Sequence, residues 1–208
     1  LKTTFKELSS YRKIFHFLLS RLVYNDALIT IFAFGGIYAA TTIGFSFEEI
    51  IILGIVLNVM AGIGAFVFGY LEDVKGSERV ILLSIIFLMI ACLIAFLAPE
   101  LPSLFQFIFG GNAIPDWFNS KNLFWLAAIL IGLFSGPNQS ASRTYMARLT
   151  PSEKRNEFFG FYAFSGKMTA FLGPFLFGLA TRYFDTQQAG LIVIFILFFV
   201  GYKLMKRL

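Results

Sequence analysis

The chain has 208 residues, of which 58% are hydrophobic and only 14% are charged, and its mean hydropathy is +0.77. A soluble domain carries about 25% charged residues, so this composition argues against a water-soluble protein and indicates a chain that folds in lipid. The net charge of +5 follows membrane topology and does not indicate nucleic-acid binding. One histidine and one cysteine, His16 and Cys92, are too few for a disulfide, zinc or haem site, so no metal or cofactor is expected.

Six apolar runs are long enough to cross a bilayer as helices, since about 20 residues span its ~30 Å hydrocarbon core. In chain order these runs, here called spans A to F, cover residues 14–41, 49–70, 80–98, 123–147, 158–183 and 190–205. They are too long for the strands of a membrane barrel and do not alternate. The sequence therefore predicts an all-α transmembrane domain over residues 14–208, preceded by a cytoplasmic amphipathic segment over residues 1–13.

Lysine and arginine indicate the orientation of the spans. An even number of spans places both termini on the same side, and most of the 17 basic residues flank the spans on that side. The opposite side carries Lys121 and Arg182. Because basic loops stay in the cytoplasm, we expect both termini to be cytoplasmic.

Polar residues are distributed unevenly among the spans. Spans C and F carry essentially none within the membrane, whereas A, B, D and E carry all of them. This pattern repeats every three spans, which predicts two three-helix repeats of inverted orientation. Polar groups in lipid are costly and mark function or helix contacts. The candidate residues for a solute and coupling pathway are Asn25, Asp26, Asn58, Asn138, Gln139 and Lys167.

Asp26 and Lys167 lie at matching depths. At 1.5 Å per residue, each is roughly 15 Å from the inner face, near the middle of the bilayer. We predict that they form an ion pair or lie on one solute and proton pathway, with a purely structural pair as the alternative. An amino-acid solute would place its carboxylate at Lys167 and its ammonium group at Asp26. Burial favours the neutral form of a carboxylate, which makes Asp26 the candidate for proton coupling.

Two proline sites predict kinks in the helices. Pro137 in span D cannot donate to the carbonyl of Leu133, and with the adjacent amides it predicts a polar kink at a binding site. Gly173 and Pro174 form a second candidate kink in span E. Packing alone is the alternative interpretation of both. The glycines of span B, which are Gly54, Gly62, Gly64 and Gly69, are expected to let helices approach closely.

The loop between spans B and C resembles the cytoplasmic loop signature of the major facilitator superfamily, Gly-x-Leu-x-Asp-Arg-x-Gly-Arg-Arg. The matching residues are Gly69, Leu71, Asp73, Gly76 and Arg79, whereas Val74, Ser77 and Glu78 depart from the signature. The resemblance implies that Asp73 helps to hold a cytoplasmic gate closed, with Arg143 as its candidate partner. A solvated loop carboxylate is the alternative.

Longer stretches resemble the vacuole-effluxer-like family, the major facilitators related to the autophagy-associated vacuolar amino-acid permease. These stretches are residues 24–26, 32–38, 136–139, 142–143, 160–163 and 165–167. The resemblance implies that spans A to F are the C-terminal six helices of a twelve-helix transporter. An N-terminal half of the same protein, or a second copy of the chain, would supply the other cavity wall. The expected location is a bacterial plasma membrane, or the vacuolar membrane of a eukaryote.

The leading functional prediction is a secondary transporter that moves amino acids or similar small solutes by alternating access, with proton coupling through Asp26. Two alternatives stay open: a non-transporting scaffold or receptor, and a transporter of lipid-like or drug-like molecules. An enzyme is not expected, because the chain lacks His-Glu-x-x-His, Gly-x-Ser-x-Gly and phosphate-loop motifs. The expected partners are the bilayer, a small solute and the other half of the transporter, and no nucleic acid.

Overall fold

The computed structural model describes residues 11–109, 115, 117–168 and 170–208. Eight α-helices lie in this part of the chain, and no strand does. They are α1 (Arg12–Tyr38), α2 (Phe47–Lys75), α3 (Ser77–Leu97), α4 (Leu101–Phe109), α5 (Ser120–Leu149), α6 (Arg155–Met168), α7 (Leu172–Phe184) and α8 (Gln187–Met205). The predicted all-α fold is confirmed. Residues 1–10 of the predicted amphipathic segment lie outside the described residues.

Five helical stretches of the described chain are long and apolar enough to cross a membrane. They are Arg12–Ile43, Phe47–Lys75, Ser77–Leu97, Ser152–Phe184 and Gln187–Met205, and they correspond to predicted spans A, B, C, E and F. Helix α5, which corresponds to span D, has 30 residues but is less apolar, because polar residues follow one another from Ser135 to Thr144. It packs between α2 and α3, so other helices cover much of the surface that lipid would otherwise contact.

Two groups of helices meet along α3. Helix α5 packs against α2 and α3, whereas α8 packs against α1, α3 and α7. Hydrogen bonds to backbone carbonyls fix α1 within this arrangement: Ser20 Oγ donates to Gly201 O of α8 over 2.8 Å, and Tyr38 Oη donates to Ala95 O of α3 over 3.0 Å. Both side chains are buried. Helix α1 is therefore held in one orientation, which decides where its polar residues point.

Helices α2 and α5 touch backbone to backbone. A side chain at Gly64 would overlap the carbonyl oxygen of Leu133, and a side chain at Gly136 would overlap the carbonyl oxygen of Ala61. Gly132, one turn before Gly136, also lies against α2, because a side chain there would come within 2.8 Å of Met60 Cβ. Small residues four apart allow this approach in a membrane, where packing replaces the hydrophobic effect. Of the four glycines in span B, only Gly64 serves this purpose, because the other three have open space beside them.

Helix α5 is continuous through Pro137. Helix α5 runs from Ser120 to Leu149 with Pro137 inside it. Pro137 leaves the carbonyl of Leu133 without its usual N–H donor, and that carbonyl lies against Gly64. The proline is buried and lies beside this close contact with Gly64, while the kink at Pro137 stays a prediction.

The start of α2 is joined to the start of α5. Ser46 and Glu49 form a reciprocal cap of α2, and Glu49 also pairs with Lys121 over 2.8 Å. This is the one salt bridge within the described part of the chain. Both side chains are partly exposed, so water screens the pair and it contributes little to stability.

Replacement of Gly64 by alanine should destabilise the protein. The added methyl group would force α2 away from α5, and such overpacking costs roughly 1–3 kcal/mol. Gly62→Ala is the matched control, because Gly62 lies on the same helix with nothing beside it and alanine favours helix. Thermal unfolding in detergent should show a lower midpoint for Gly64→Ala alone. Equal midpoints for the two variants would mean that α2 and α5 are not in close contact.

Candidate functional site

The fifth membrane span is not continuous. Helix α6 ends at Met168 and α7 begins at Leu172, although both belong to the single stretch Ser152–Phe184. An interrupted helix exposes unpaired carbonyl groups at one end and unpaired N–H groups at the other. Within a bilayer these groups must find partners in the protein. The polar residues of α1 provide two of those partners, one for the carbonyl of Gly166 and one for the N–H of Gly173.

Arg21 and Asn25 of α1 bind the carbonyl end of α6. Arg21 Nη1 donates to Tyr162 O over 2.8 Å and to Ser165 Oγ over 3.0 Å, and its guanidinium group lies 3.6 Å from the centre of the Tyr162 ring. Asn25 Nδ2 donates to Gly166 O over 3.2 Å. A positive charge near the carbonyl end of a helix complements the helix dipole.

Asp26 binds the amide end of α7. Asp26 Oδ2 accepts a hydrogen bond from the backbone N–H of Gly173 over 2.8 Å, and Asp26 is only 3% exposed. A side chain at Gly173 would overlap Thr30 Oγ1, so only glycine fits there. Pro174 follows in the first turn, where a helix needs no N–H from proline. The predicted kink residues Gly173 and Pro174 thus lie directly after the interruption, and Asp26 places a negative charge at the positive end of α7.

The predicted ion pair between Asp26 and Lys167 is not formed. Lys167 is exposed on the last turn of α6, whereas Asp26 is buried against α7. Equal depth along two helices does not place two side chains face to face, because depth says nothing of rotation about the helix axis. The backbone N–H of Gly173, and not the predicted Lys167, is the partner of the Asp26 carboxylate. Asp26 Oδ1 has no hydrogen-bond partner among the described residues.

A polar cavity of about 60 Å³ lies beside the interruption, between α1, α5 and α6. Its lining consists of Arg21, Tyr24, Asn25, Asn138, Gln139, Ser142, Arg143 and Tyr162. Ser142 Oγ donates to the backbone carbonyl of Asn138, so the 2.8 Å contact between Tyr24 and Ser142 is a bond from the tyrosine hydroxyl. The structure therefore brings together Asn25, Asn138 and Gln139 of the predicted pathway.

Asn58, Lys167 and Asp26 do not line this cavity. Asn58 is exposed on α2, and its Nδ2 donates to Gly54 O of the same helix over 2.8 Å. Sequence reasoning missed Arg21, Tyr24, Ser142 and Tyr162 as cavity residues. Helical spacing carried a signal for part of the site, because Arg21 and Asn25 are four residues apart, as are Gln139 and Arg143, and residues at that spacing share a helix face.

The loop signature is arranged differently from the prediction. Helix α2 continues to Lys75, and Gly76, whose φ of +86° suits glycine, separates it from α3. Glu72 is buried and accepts a hydrogen bond from Ser77 Oγ over 2.7 Å, whereas Asp73 is exposed. Arg143 lines the cavity instead, and the predicted pairing of Asp73 with Arg143 is not formed. Successive side chains of a helix point about 100° apart. Glu72 is therefore buried, whereas the next residue, Asp73, is exposed.

Two further residues of the signature, Gly69 and Arg79, have open surroundings. Gly69 has nothing beside it, and Arg79 is exposed in the first turn of α3. No group of three histidine, cysteine or carboxylate residues that could hold a metal ion occurs in the described residues.

Asp26→Leu should destabilise the interrupted span, because it leaves the buried N–H of Gly173 without an acceptor at a cost of about 1–3 kcal/mol. Asp26→Asn keeps an acceptor oxygen and should lose much less. Asn58→Leu serves as a control for polar loss at an exposed position. The measurement is thermal unfolding in detergent. Equal losses for Asp26→Leu and Asp26→Asn would show that the charge, and not the hydrogen bond, stabilises the site.

Comparisons with known proteins agree with this architecture. The family model described as vacuole effluxer Atg22 like matches residues 1–208. An uncharacterized MFS-type transporter of Bacillus subtilis (strain 168), YxiO, is 28% identical over 97% of this chain and 42% of its own length. The autophagy-related protein 22 of Candida glabrata is 24% identical over 98% of this chain and 36% of its own length.

The autophagy-related protein 22 of Saccharomyces cerevisiae (strain ATCC 204508 / S288c) is 25% identical over 86% of the chain and 32% of its own length. The chain thus spans less than half the length of these curated relatives. No solved structure matches it significantly. A match to the whole chain, together with an all-helical membrane fold, confirms the resemblance: the chain belongs to the Atg22-like vacuole effluxer family of major facilitators, and its helices form one half of a major-facilitator fold.

Proposed function

We propose that this chain is half of a secondary transporter that moves amino acids or similar small solutes across a membrane by alternating access. The observation that carries this function is the polar cavity between α1, α5 and α6. Polar and charged side chains within a bilayer are costly, and they persist where they bind a solute, an ion or another helix. The names of the relatives, an MFS-type transporter and autophagy-related proteins, support transport in general.

The interrupted helix beside the cavity supports a mechanism that involves movement. In transporters, discontinuous helices contribute their free backbone ends to solute and ion sites. Here Arg21 and Asn25 contact both the cavity and the end of α6. A solute that binds in the cavity would therefore act on the same residues that hold α6 in place. Through Arg21 and Asn25, solute binding would therefore change the contacts that position the fifth span.

The open face of α2 supports the presence of a second six-helix unit. Only Leu53, Gly64 and Glu72 of α2 are buried, and the fifth span is also little covered by the rest of the chain. Gly54, Asn58 and Gly62 lie exposed on α2, and small or amide side chains suit contact with another membrane helix. An N-terminal half of the same protein, or a second copy, would cover this face and close the cavity. Asn58 and Lys167 remain predicted to line the solute pathway, at the face that this second unit would cover.

The predicted orientation places both termini in the cytoplasm. The exposed basic residues Arg79 and Arg148 then lie on the cytoplasmic side. Relatives of the chain come from a bacterium and from yeasts. The proposed location is therefore a bacterial plasma membrane or, in a eukaryote, the vacuolar membrane. The protein is in either case a multi-pass membrane protein.

The test is uptake of labelled amino acids into liposomes that contain the protein as it is naturally encoded. We expect uptake that saturates with solute concentration and accelerates under an imposed pH gradient. Asp26→Asn, which keeps an acceptor for Gly173, should abolish the acceleration and spare exchange of solute at equilibrium. Asp185→Asn is the matched control, because Asp185 is an exposed carboxylate in a turn.

Two results would redirect the functional assignment. Uptake of hydrophobic dyes, with no uptake of amino acids, would favour the transport of drug-like molecules. No uptake of any solute by correctly folded protein would favour a scaffold or receptor. If Asp26→Asn retained full acceleration, coupling would not run through Asp26.

A further inference from the structure

We infer that the cavity between α1, α5 and α6 is a subsite for an anionic group of the solute, a carboxylate or a phosphate. This inference rests on the proposed transport function, which it makes more specific. Two guanidinium groups, those of Arg21 and Arg143, line the cavity, and none of the described carboxylate residues does. The nearby carboxylate of Asp26 points to the amide end of α7 and is not part of the lining.

One buried hydrogen-bond donor of the cavity has no acceptor. Asn138 is 1% exposed, and its Nδ2 has no hydrogen-bond partner among the described residues. Two oxygens of the lining residues are already used: Ser142 Oγ accepts from Tyr24, and Tyr162 O accepts from Arg21. A buried donor without an acceptor is unfavourable. An anion supplies acceptor oxygens and negative charge together.

The two arginines have unequal roles. Arg21 uses Nη1 for both of its hydrogen bonds and stacks on Tyr162, so it is held rigidly with its other N–H groups available. Arg143 is exposed, and it makes no hydrogen bond or ion pair with the described residues. Planar guanidinium groups match the geometry of carboxylate and phosphate oxygens. Arg143 is therefore free to close onto an anion that Arg21 and Asn138 receive.

The size of the cavity limits what it can bind. A site needs about 10–15 Å³ to hold one water, so about 60 Å³ accommodates a small polar group and not a large solute. The remainder of the solute would extend towards the partner half. This arrangement replaces the expectation that Lys167 receives a carboxylate, since Lys167 lies outside the cavity.

The experiment compares matched acids and amides on the purified protein as it is naturally encoded. At constant ionic strength, binding of L-alanine, L-alaninamide, propionate, propionamide and inorganic phosphate is measured by thermal stabilisation and calorimetry. We expect the compounds that carry a carboxylate or phosphate group to bind, and the amide counterparts, which lack that negative charge, not to bind. The separate carboxylate and phosphate arms identify which anion the site prefers.

Variants then locate the site. Arg143→Gln and the near-isosteric Asn138→Asp should weaken anion binding roughly tenfold or more, since each removes or opposes a charge-assisted hydrogen bond. Arg148→Gln is the matched control, because Arg148 is exposed on the same helix and does not line the cavity. Because Arg143 makes no contact that the fold needs, its loss should leave the unfolding temperature unchanged.

Failure of this inference can be told apart from failure of transport. Equal binding of acids and amides, or undiminished anion binding by Arg143→Gln, would overturn the anionic subsite even if liposomes took up solute. Anion binding that depends on Arg143, in liposomes that show no uptake, would retain the subsite and reject the transport function.

Discussion

The structure depends on one constraint: an interrupted helix within a membrane must have its free backbone groups satisfied by the protein. Helix α1 meets this constraint at both ends of the gap. Arg21 and Asn25 bind carbonyl oxygens of α6, and Asp26 binds an amide of α7. Each charge has the sign that complements the helix end it faces. The interruption is therefore a stable feature of the fold.

The remaining helices hold α1 in the orientation that this contact requires. Ser20 and Tyr38 bond α1 to α8 and α3 through backbone carbonyls. On the other side, Gly64 and Gly136 let α2 and α5 touch backbone to backbone, which fixes α5 and its polar segment. The cavity lies between α1, α5 and α6. The contacts that orient α1 and α5 therefore also decide which polar side chains line it.

The cavity and the interruption share residues, and this sharing connects binding with movement. Arg21 and Asn25 belong to both. A ligand that binds the remaining N–H groups of Arg21 engages the same guanidinium group that binds Tyr162 and Ser165 of α6. In a protein that alternates between two states, a ligand shifts the balance only through contacts that differ between those states. The hydrogen bonds that Arg21 and Asn25 donate to α6 are contacts that would differ between the two states.

The sequence by itself determined the helical membrane fold and its family, because long apolar runs and local motifs are properties of neighbouring residues. It also identified Asn25, Asp26, Asn138 and Gln139 as functional candidates, since polar groups are conspicuous in lipid. It did not determine which of them meet: Asp26 faces Gly173 and not Lys167, and the fifth span is interrupted just before Leu172. Only the tertiary structure decided these contacts, because the rotation of each helix about its axis is set by packing against distant helices, and spacing along one chain segment does not encode it.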